Sequence, residues 1–446
     1  MKWLHHRCIV VVPVVALFIA GILLYYARLG FLGSDWATYP ANKHIYNNGI
    51  IEKAGDITDK NKTVLATTKD KNRIYNSNSD IRKATVHAVG DLKGYVSTGM
   101  QSAYLSSLCG YDAVNGIYNV SGKGNNIELT IDSDLCVSAM KALGSYSGTV
   151  GVCNYKTGEI VCMVSTPTFD PASSNEPSGE GVYVNRFLSG VYAPGSVFKL
   201  VTTLAALENL DDCNTMTFDC NYGVTIMDER LTCMGRHGNT NLDNALVYSC
   251  NAFFAQTALK LGRNTMTKTA EKVGFNKTLK MDGIECAASK YSVADANDID
   301  FGWSGIGQQN DLVNPYQYIS FVGAIANEGV CVSPHIIKKI TSPKGIQLRG
   351  EEKKKSRMLS KENARRIGEM MRKDVSKNYG DYRFPGLNVC GKTGTAEIGK
   401  GATPHSWFVG FIEDTAKPYA FVVTVENAGS GNGVALQIAS RVLKNL

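Results

Sequence analysis

Apolar residues are spread unevenly along the chain. Ile9 to Tyr26 forms an uncharged run rich in Val, Ile, Leu, Ala and Phe, long enough to cross a bilayer as a helix. Lys2, His5, His6 and Arg7 precede it. The positive-inside rule therefore places residues 1–8 in the cytoplasm, a transmembrane anchor at 9–28 and the rest of the chain outside. A cleaved signal peptide is the alternative, although the run exceeds a typical h-region and no small-x-small site follows it. Either way the body is exported.

Residues 29–125 are polar and rich in Asn and Lys, with short apolar runs at Thr63–Ala66 and Ala84–Val89. They read as a small, β-rich, membrane-proximal platform. From residue 126 the pattern tightens: Asn126–Ile131 alternates, Ser133–Leu143 has helical spacing, and Thr149–Cys153 and Ile160–Val164 read as strands around a turn at Asn154–Glu159. Helical periodicity follows over Val197–Glu208, Leu242–Leu261, Thr267–Val273, Pro315–Asn327 and Lys361–Lys373. Strand patterns return at Thr393–Ile398, Ser406–Glu413 and Ala420–Glu426, before an amphipathic helix over Gly433–Leu443. Residues 126–446 thus predict an α+β domain: a sheet fed by strands from both ends, helices packed on it, and a mostly helical insertion between.

A length of 446 residues accommodates two or three such units. The net charge of +7 comes without an arginine-rich stripe or a nucleic-acid motif, which points to a polyanionic wall or a membrane surface and away from nucleic acid. The twelve cysteines are scattered, with no CxxC pair and no histidine at zinc spacing. Most read as buried thiols, and no metal ligand set is expected. Cys220 and Cys233 flank a glycine-containing excursion that can close as a hairpin, which leaves a disulfide between them open.

Three short motifs carry the candidate chemistry: Ser196-Val197-Phe198-Lys199, Ser249-Cys250-Asn251 and Lys392-Thr393-Gly394. Each is weak alone, because the chain holds decoys. Ser138 to Lys141 repeats the first spacing, Ser173/Asn175, Ser376/Asn378 and Ser430/Asn432 repeat the second, and Lys156-Thr157-Gly158 repeats the third. Context selects among them. Ala193-Pro194-Gly195 forces a turn, so Ser196 falls at a helix start, where free N–H groups stabilise an oxyanion. The i, i+3 spacing stacks Lys199 on the same face one turn deeper, where burial favours the neutral amine as a base. Thr395-Ala396-Glu397-Ile398 reads as a strand starting beside Gly394, a place where a ligand can approach the backbone. Such an edge pairs with an extended peptide, while Lys392 attracts a carboxylate.

Taken in order, the three motifs resemble those of penicillin-binding proteins and serine β-lactamases. The likeness to class B penicillin-binding proteins runs further. Gly55-Asp56-Ile57-Thr58-Asp59-Lys60-Asn61 with Val64-Leu65-Ala66 is similar to the family's segment just past the anchor, with Lys60 in place of the usual Arg and Lys62 of the usual Gly. Leu129–Asp132, Thr157–Ile160, Ser165–Pro171, Asn185–Phe187, His237-Gly238, Gly305–Gln308 and Trp407–Gly410 continue it to the C-terminus. The platform is short beside the pedestals of many relatives.

This resemblance implies a peptidoglycan D,D-transpeptidase without cofactor or metal, acting on D-Ala-D-Ala stem peptides and acylated by β-lactams. Ser196 would be the nucleophile, Lys199 its base and Ser249 a proton relay between Lys199, Lys392 and the leaving amine. Asn251 would hold the substrate amide. Thr393, Gly394 and Thr395 would line the substrate strand, with the Ser196 and Thr395 amides as oxyanion hole and the two threonine hydroxyls beside Lys392 on the terminal carboxylate. A SEDS-type glycan polymerase is the implied membrane partner. A serine β-lactamase or a non-catalytic β-lactam receptor or scaffold are the alternatives. His237 reads as a loop histidine, Cys250 as a small buried residue, Trp303 and Trp407 as core, and Gln308 receives no role.

Overall fold

The apolar N-terminal run becomes one helix, Lys2–Ala37, whose most apolar window has a mean hydropathy of 2.9 and is not buried against the rest of the chain. At 1.5 Å per residue this is long enough to cross a membrane. The structure is a computed structural model and describes residues 2–39, 46, 47, 50–112, 116, 123–399, 401–429 and 433–446.

The main sheet has five antiparallel strands in the order Val389–Ala396, His405–Ile412, Tyr419–Val425, Gly148–Asn154, Ile160–Thr166. Strands from the two ends of the domain meet where Tyr419 pairs with Asn154 and Val425 with Gly148, as the patterning predicts. The inner strands are buried on both faces, which is why they read as nearly continuous apolar runs and not as alternation. Among the described residues, the strand Val389–Ala396 has a neighbouring strand on one side only. Helices Pro315–Ala326 and Val434–Leu443 pack on the sheet.

A second sheet has six strands, in the order Gln347–Arg349, Ile337–Thr341, Asn126–Leu129, Ile57–Thr58, Val64–Lys69, Asn72–Tyr75. Ile57 pairs in parallel with Ile127. The expected division at residue 125 therefore falls between neighbouring strands of one sheet.

Between the halves of the main sheet lie helices Lys199–Asn209, Leu242–Val247, Asn251–Leu261, Arg263–Lys272 and Asp298–Ser304, and a hairpin of Thr217–Ile226 with Glu229–Asn241. The single helix expected over Leu242–Leu261 is two. Ser249 takes φ +54°, a left-handed conformation that ends a helix, and Cys250 caps the next one, its sulfur accepting from Phe253 N at 3.5 Å. Apolar periodicity runs through the break because apolar residues are buried on both sides of it, Leu242, Leu246 and Val247 before and Phe253, Phe254 and Ala258 after. The third motif also sits differently: its strand begins at Val389, so Lys392-Thr393-Gly394 lies inside it.

Candidate active site

Ser196 lies in a 3-10 turn, Gly195–Phe198, which leads directly into helix Lys199–Asn209. Gly195 has φ +55°, and a Cβ there would collide with the carbonyl oxygen of Thr395. Gly394 approaches from the other side, where a Cβ would stand 2.6 Å from Pro194 O. The two glycines let the Ser196 turn press against the edge strand, setting the backbones of Ser196 and Thr395 side by side. Further bonds fix the turn: Gly195 N donates to Gly307 O at 2.8 Å, Trp407 Nε1 to Ala193 O at 2.9 Å, and Tyr318 OH to Val197 O at 2.6 Å.

Lys199 is fully buried. Its Nζ lies within hydrogen-bonding distance of four oxygens: Ser196 Oγ at 3.0 Å, Ser249 O at 2.7 Å, Ser249 Oγ at 3.1 Å and Asn251 Oδ1 at 2.7 Å. The break at Ser249 makes this convergence possible, because the turn Tyr248–Cys250 aims both a carbonyl and a hydroxyl at the amine. Burial, and after it the charge of Lys392, lowers the Lys199 pKa to about 7. Asn251 is anchored in turn, its Nδ2 donating to Thr232 O at 3.0 Å.

Lys392 is also fully buried. Its Nζ lies 3.3 Å from Asp374 Oδ2 and 3.4 Å from both Tyr379 OH and Thr393 O. Burial pulls its pKa down, but the charge of Asp374 and the bonds around it prevail and raise it, so this lysine stays cationic. Asp374 accepts from Asn378 Nδ2 at 2.7 Å and from Tyr379 OH at 2.8 Å. Tyr379 also pairs with Thr393 Oγ1 at 2.8 Å. The two lysines thus differ in their partners: Lys199 meets neutral oxygens within hydrogen-bonding distance, while Lys392 meets the Asp374 carboxylate.

The family model of the penicillin binding protein transpeptidase domain matches residues 148–444. The chain belongs to that family. Among curated relatives, the peptidoglycan D,D-transpeptidase PbpA of Mycobacterium tuberculosis is 26% identical over 364 residues, covering 72% of each chain. The crystal structure of PBPA from Mycobacterium tuberculosis superposes with a TM-score of 0.77 at 23% identity, over 88% of this chain and 99% of that one. A penicillin G acyl-enzyme complex of penicillin-binding protein A from the same organism gives 0.77 at 24%, over 88% and 99%. These likenesses establish the fold as that of penicillin-binding protein transpeptidases.

In this penicillin-binding protein the structure brings Ser196, Lys199, Ser249 and Asn251 into one hydrogen-bonded group. Gly394 and Thr395 border the Ser196 turn, and Lys392 and Thr393 share Tyr379. The decoys serve structure. Lys141 pairs with Asp80 at 2.8 Å, Lys156 bonds Asn327 Oδ1 at 2.9 Å from its turn, and Asn175 N donates to Ser173 Oγ. Asn378 is the Asp374 clamp just described, and Ser430 and Asn432 lie outside the described residues. Asp374 and Tyr379 escaped sequence reasoning, whereas Gly307 lies in the Gly305–Gln308 segment quoted above. The first two sit at the end of helix Lys361–Asp374 and in the π-turn that follows it, with no motif to mark them. Trp407 is core, and Trp303, partly buried against the core, also lines a groove with Gln308, Tyr192, Ile398 and His405.

The cysteines are all free thiols, so Cys220 and Cys233 are not bridged, and most are buried as expected. Yet the chain folds Cys220, Cys233, His237 and Cys250 into one cluster whose donor atoms lie within 4.8 Å of one another. Sequence spacing concealed this grouping because a hairpin and a helix cap, distant along the chain, supply its members.

Proposed function

We propose that this chain is a serine D,D-transpeptidase that cross-links peptidoglycan stem peptides through an acyl-enzyme on Ser196. The observation that carries the reading is the buried Lys199 amine, 3.0 Å from Ser196 Oγ and shifted to a pKa of about 7. Near neutral pH a large share of it is uncharged and able to take the hydroxyl proton. Ser196 Oγ then attacks the penultimate D-alanine carbonyl, and the Ser196 and Thr395 amides receive the oxyanion. Ser249, bonded to Lys199, passes the proton to the leaving D-alanine amine. Asn251 holds the substrate amide. Lys392, kept cationic by Asp374, attracts the terminal carboxylate, with the Thr393 and Thr395 hydroxyls beside it. An acceptor amine from a second strand then displaces Ser196 and restores the proton to the relay.

The edge position of Val389–Ala396 supports this, because a peptide laid along it gains main-chain hydrogen bonds. The same acylation by a β-lactam would trap Ser196. The N-terminal helix would anchor the protein as a single-pass membrane protein, with residues 126–446 outside as the transpeptidase domain. Residues 29–125 together with the anchor would contact a SEDS-type polymerase that makes the glycan.

Incubation with an N-acylated D-Ala-D-Ala stem peptide and an amine acceptor tests the reading. Ser196-dependent release of D-alanine with an acceptor-linked product supports it. Rapid hydrolysis of penicillin with recovery of free enzyme would mark a β-lactamase instead, and a protein that releases no D-alanine and binds no penicillin would be a scaffold.

A further inference from the structure

The geometry points to a structural zinc site made by Cys220, Cys233, His237 and Cys250, which pins the Ser249-Cys250-Asn251 turn to the neighbouring hairpin. We infer this from donor geometry. Nδ1 of His237 lies 3.5 Å from Cys220 Sγ and 3.5 Å from Cys233 Sγ. A tetrahedral ion with Zn–S of about 2.3 Å and Zn–N of about 2.0–2.1 Å separates sulfur from nitrogen by about 3.6 Å and sulfur from sulfur by about 3.8 Å. All four donors already lie within 4.8 Å of one another, so small rotations close the set. Three sulfurs and one imidazole form a donor set of structural zinc sites, with no position left for water.

The backbone around the cluster is shaped for this arrangement. Between the pairs Thr232↔Gly223 and Arg236↔Asn221 the second hairpin strand advances four residues against two, and between Arg236↔Asn221 and Gly238↔Cys220 two against one. These bulges forgo ladder bonds and turn Cys233 and His237 toward Cys220. Cys250 arrives from the other side as the cap of helix Asn251–Leu261. Cys220 and Cys250 are fully buried, while Cys233 and His237 are half-buried, which leaves an entry path. Asn251 N donates to Cys233 Sγ at 3.3 Å, an N–H···S contact that would remain as an outer-shell bond to a metal-bound thiolate. The ring of His237 stacks on Tyr248, centroids 5.7 Å apart and planes within 9°.

Binding breaks the three S–H bonds, sends their protons to solvent and forms three Zn–S bonds and one Zn–N bond to the Nδ1 lone pair of neutral His237. The ion needs no redox partner. Its effect on the reaction is positional: Ser249 and Asn251 flank a ligand, so fixing Cys250 fixes the hydroxyl and the amide that meet Lys199. It would also hold the thiols of an exported protein out of disulfides.

The test uses the purified full chain in detergent, under reducing conditions, with zinc measured by plasma mass spectrometry and Co2+ as a spectroscopic substitute. About one zinc per chain is expected, together with the visible d–d bands and thiolate charge-transfer bands of tetrahedral Co2+. Cys233→Ser and His237→Ala lose both signals, whereas Cys331→Ala, altered at a buried cysteine elsewhere, keeps them. Chelation of the wild type lowers Tm and slows penicillin acylation on the order of tenfold or more, and added zinc restores both. Wild-type protein that is folded by circular dichroism yet holds no zinc and gives no Co2+ spectrum would overturn the site. So would a Cys220–Cys233 disulfide in peptide maps of protein alkylated before any reductant is added, or full metal retention in Cys233→Ser. Zinc removal that leaves Tm and acylation unchanged would overturn the positioning role. The metal count does not depend on the transpeptidase reading, so the two can fail separately.

Discussion

Lys199 Nζ stands 3.0 Å from Ser196 Oγ, while the other buried lysine of the site, Lys392, keeps its charge through Asp374. The contrast supports the proposed roles, proton transfer for the first amine and charge attraction for the second. With the Lys199 pKa lowered to about 7, the reactive neutral form grows as pH rises through that value. Penicillin acylation should therefore climb between about pH 6 and 8 and level off above, by the usual behaviour of a general base. Lys199→Ala should cost about 10²–10⁴-fold in acylation rate. Stopped-flow acylation across this range checks both, and a flat profile would contradict them.

Gly195 joins the nucleophile turn to the edge strand by lacking a side chain. Gly195→Ala adds only a methyl group, but that group meets Thr395 O on a backbone at φ +55°. The left-handed conformation alone costs about 1–3 kcal/mol, and displacing Ser196 by about 1 Å should slow acylation on the order of 10²-fold. Calorimetry and acylation kinetics on the variant test this; a wild-type rate would refute the close approach.

Ser249 is strained, with φ +54°. Ser249→Gly relieves the strain while removing the hydroxyl 3.1 Å from Lys199. The expected result is an unchanged or higher Tm with acylation reduced by about 10²-fold or more. A lower Tm with unchanged acylation would make the residue structural.

Asp374 and Lys392 form a pair buried on both sides. Asp374→Asn leaves Lys392 cationic and unpaired, which should destabilise the fold by about 3–5 kcal/mol. Lys392→Met in that background should recover much of the loss, because two neutral groups no longer carry an uncompensated charge. Melting curves of the single and double variants measure the coupling, and additive effects would exclude it.

Much of this site was legible because its residues obey local rules. The turn at Ala193-Pro194-Gly195 announced a helix start, and the i, i+3 spacing placed Lys199 behind Ser196. The sheet was legible from apolar runs near the two ends of the domain. What escaped depends on long-range packing. Asp374 and Tyr379 lie at a helix end and a π-turn and acquire meaning only when Lys392 is buried against them. The break at Ser249 was hidden because apolar residues are buried both before and after it. The cysteine cluster was hidden by bulges in a hairpin whose register no periodicity encodes.

The most direct measurement is the mass of the protein after reaction with penicillin G, followed by tryptic mapping. Covalent addition of one intact antibiotic, carried by the peptide Phe187–Lys199 and lost in Ser196→Ala, is the predicted result. An adduct on any other peptide, or one that survives loss of the Ser196 hydroxyl, would contradict the account.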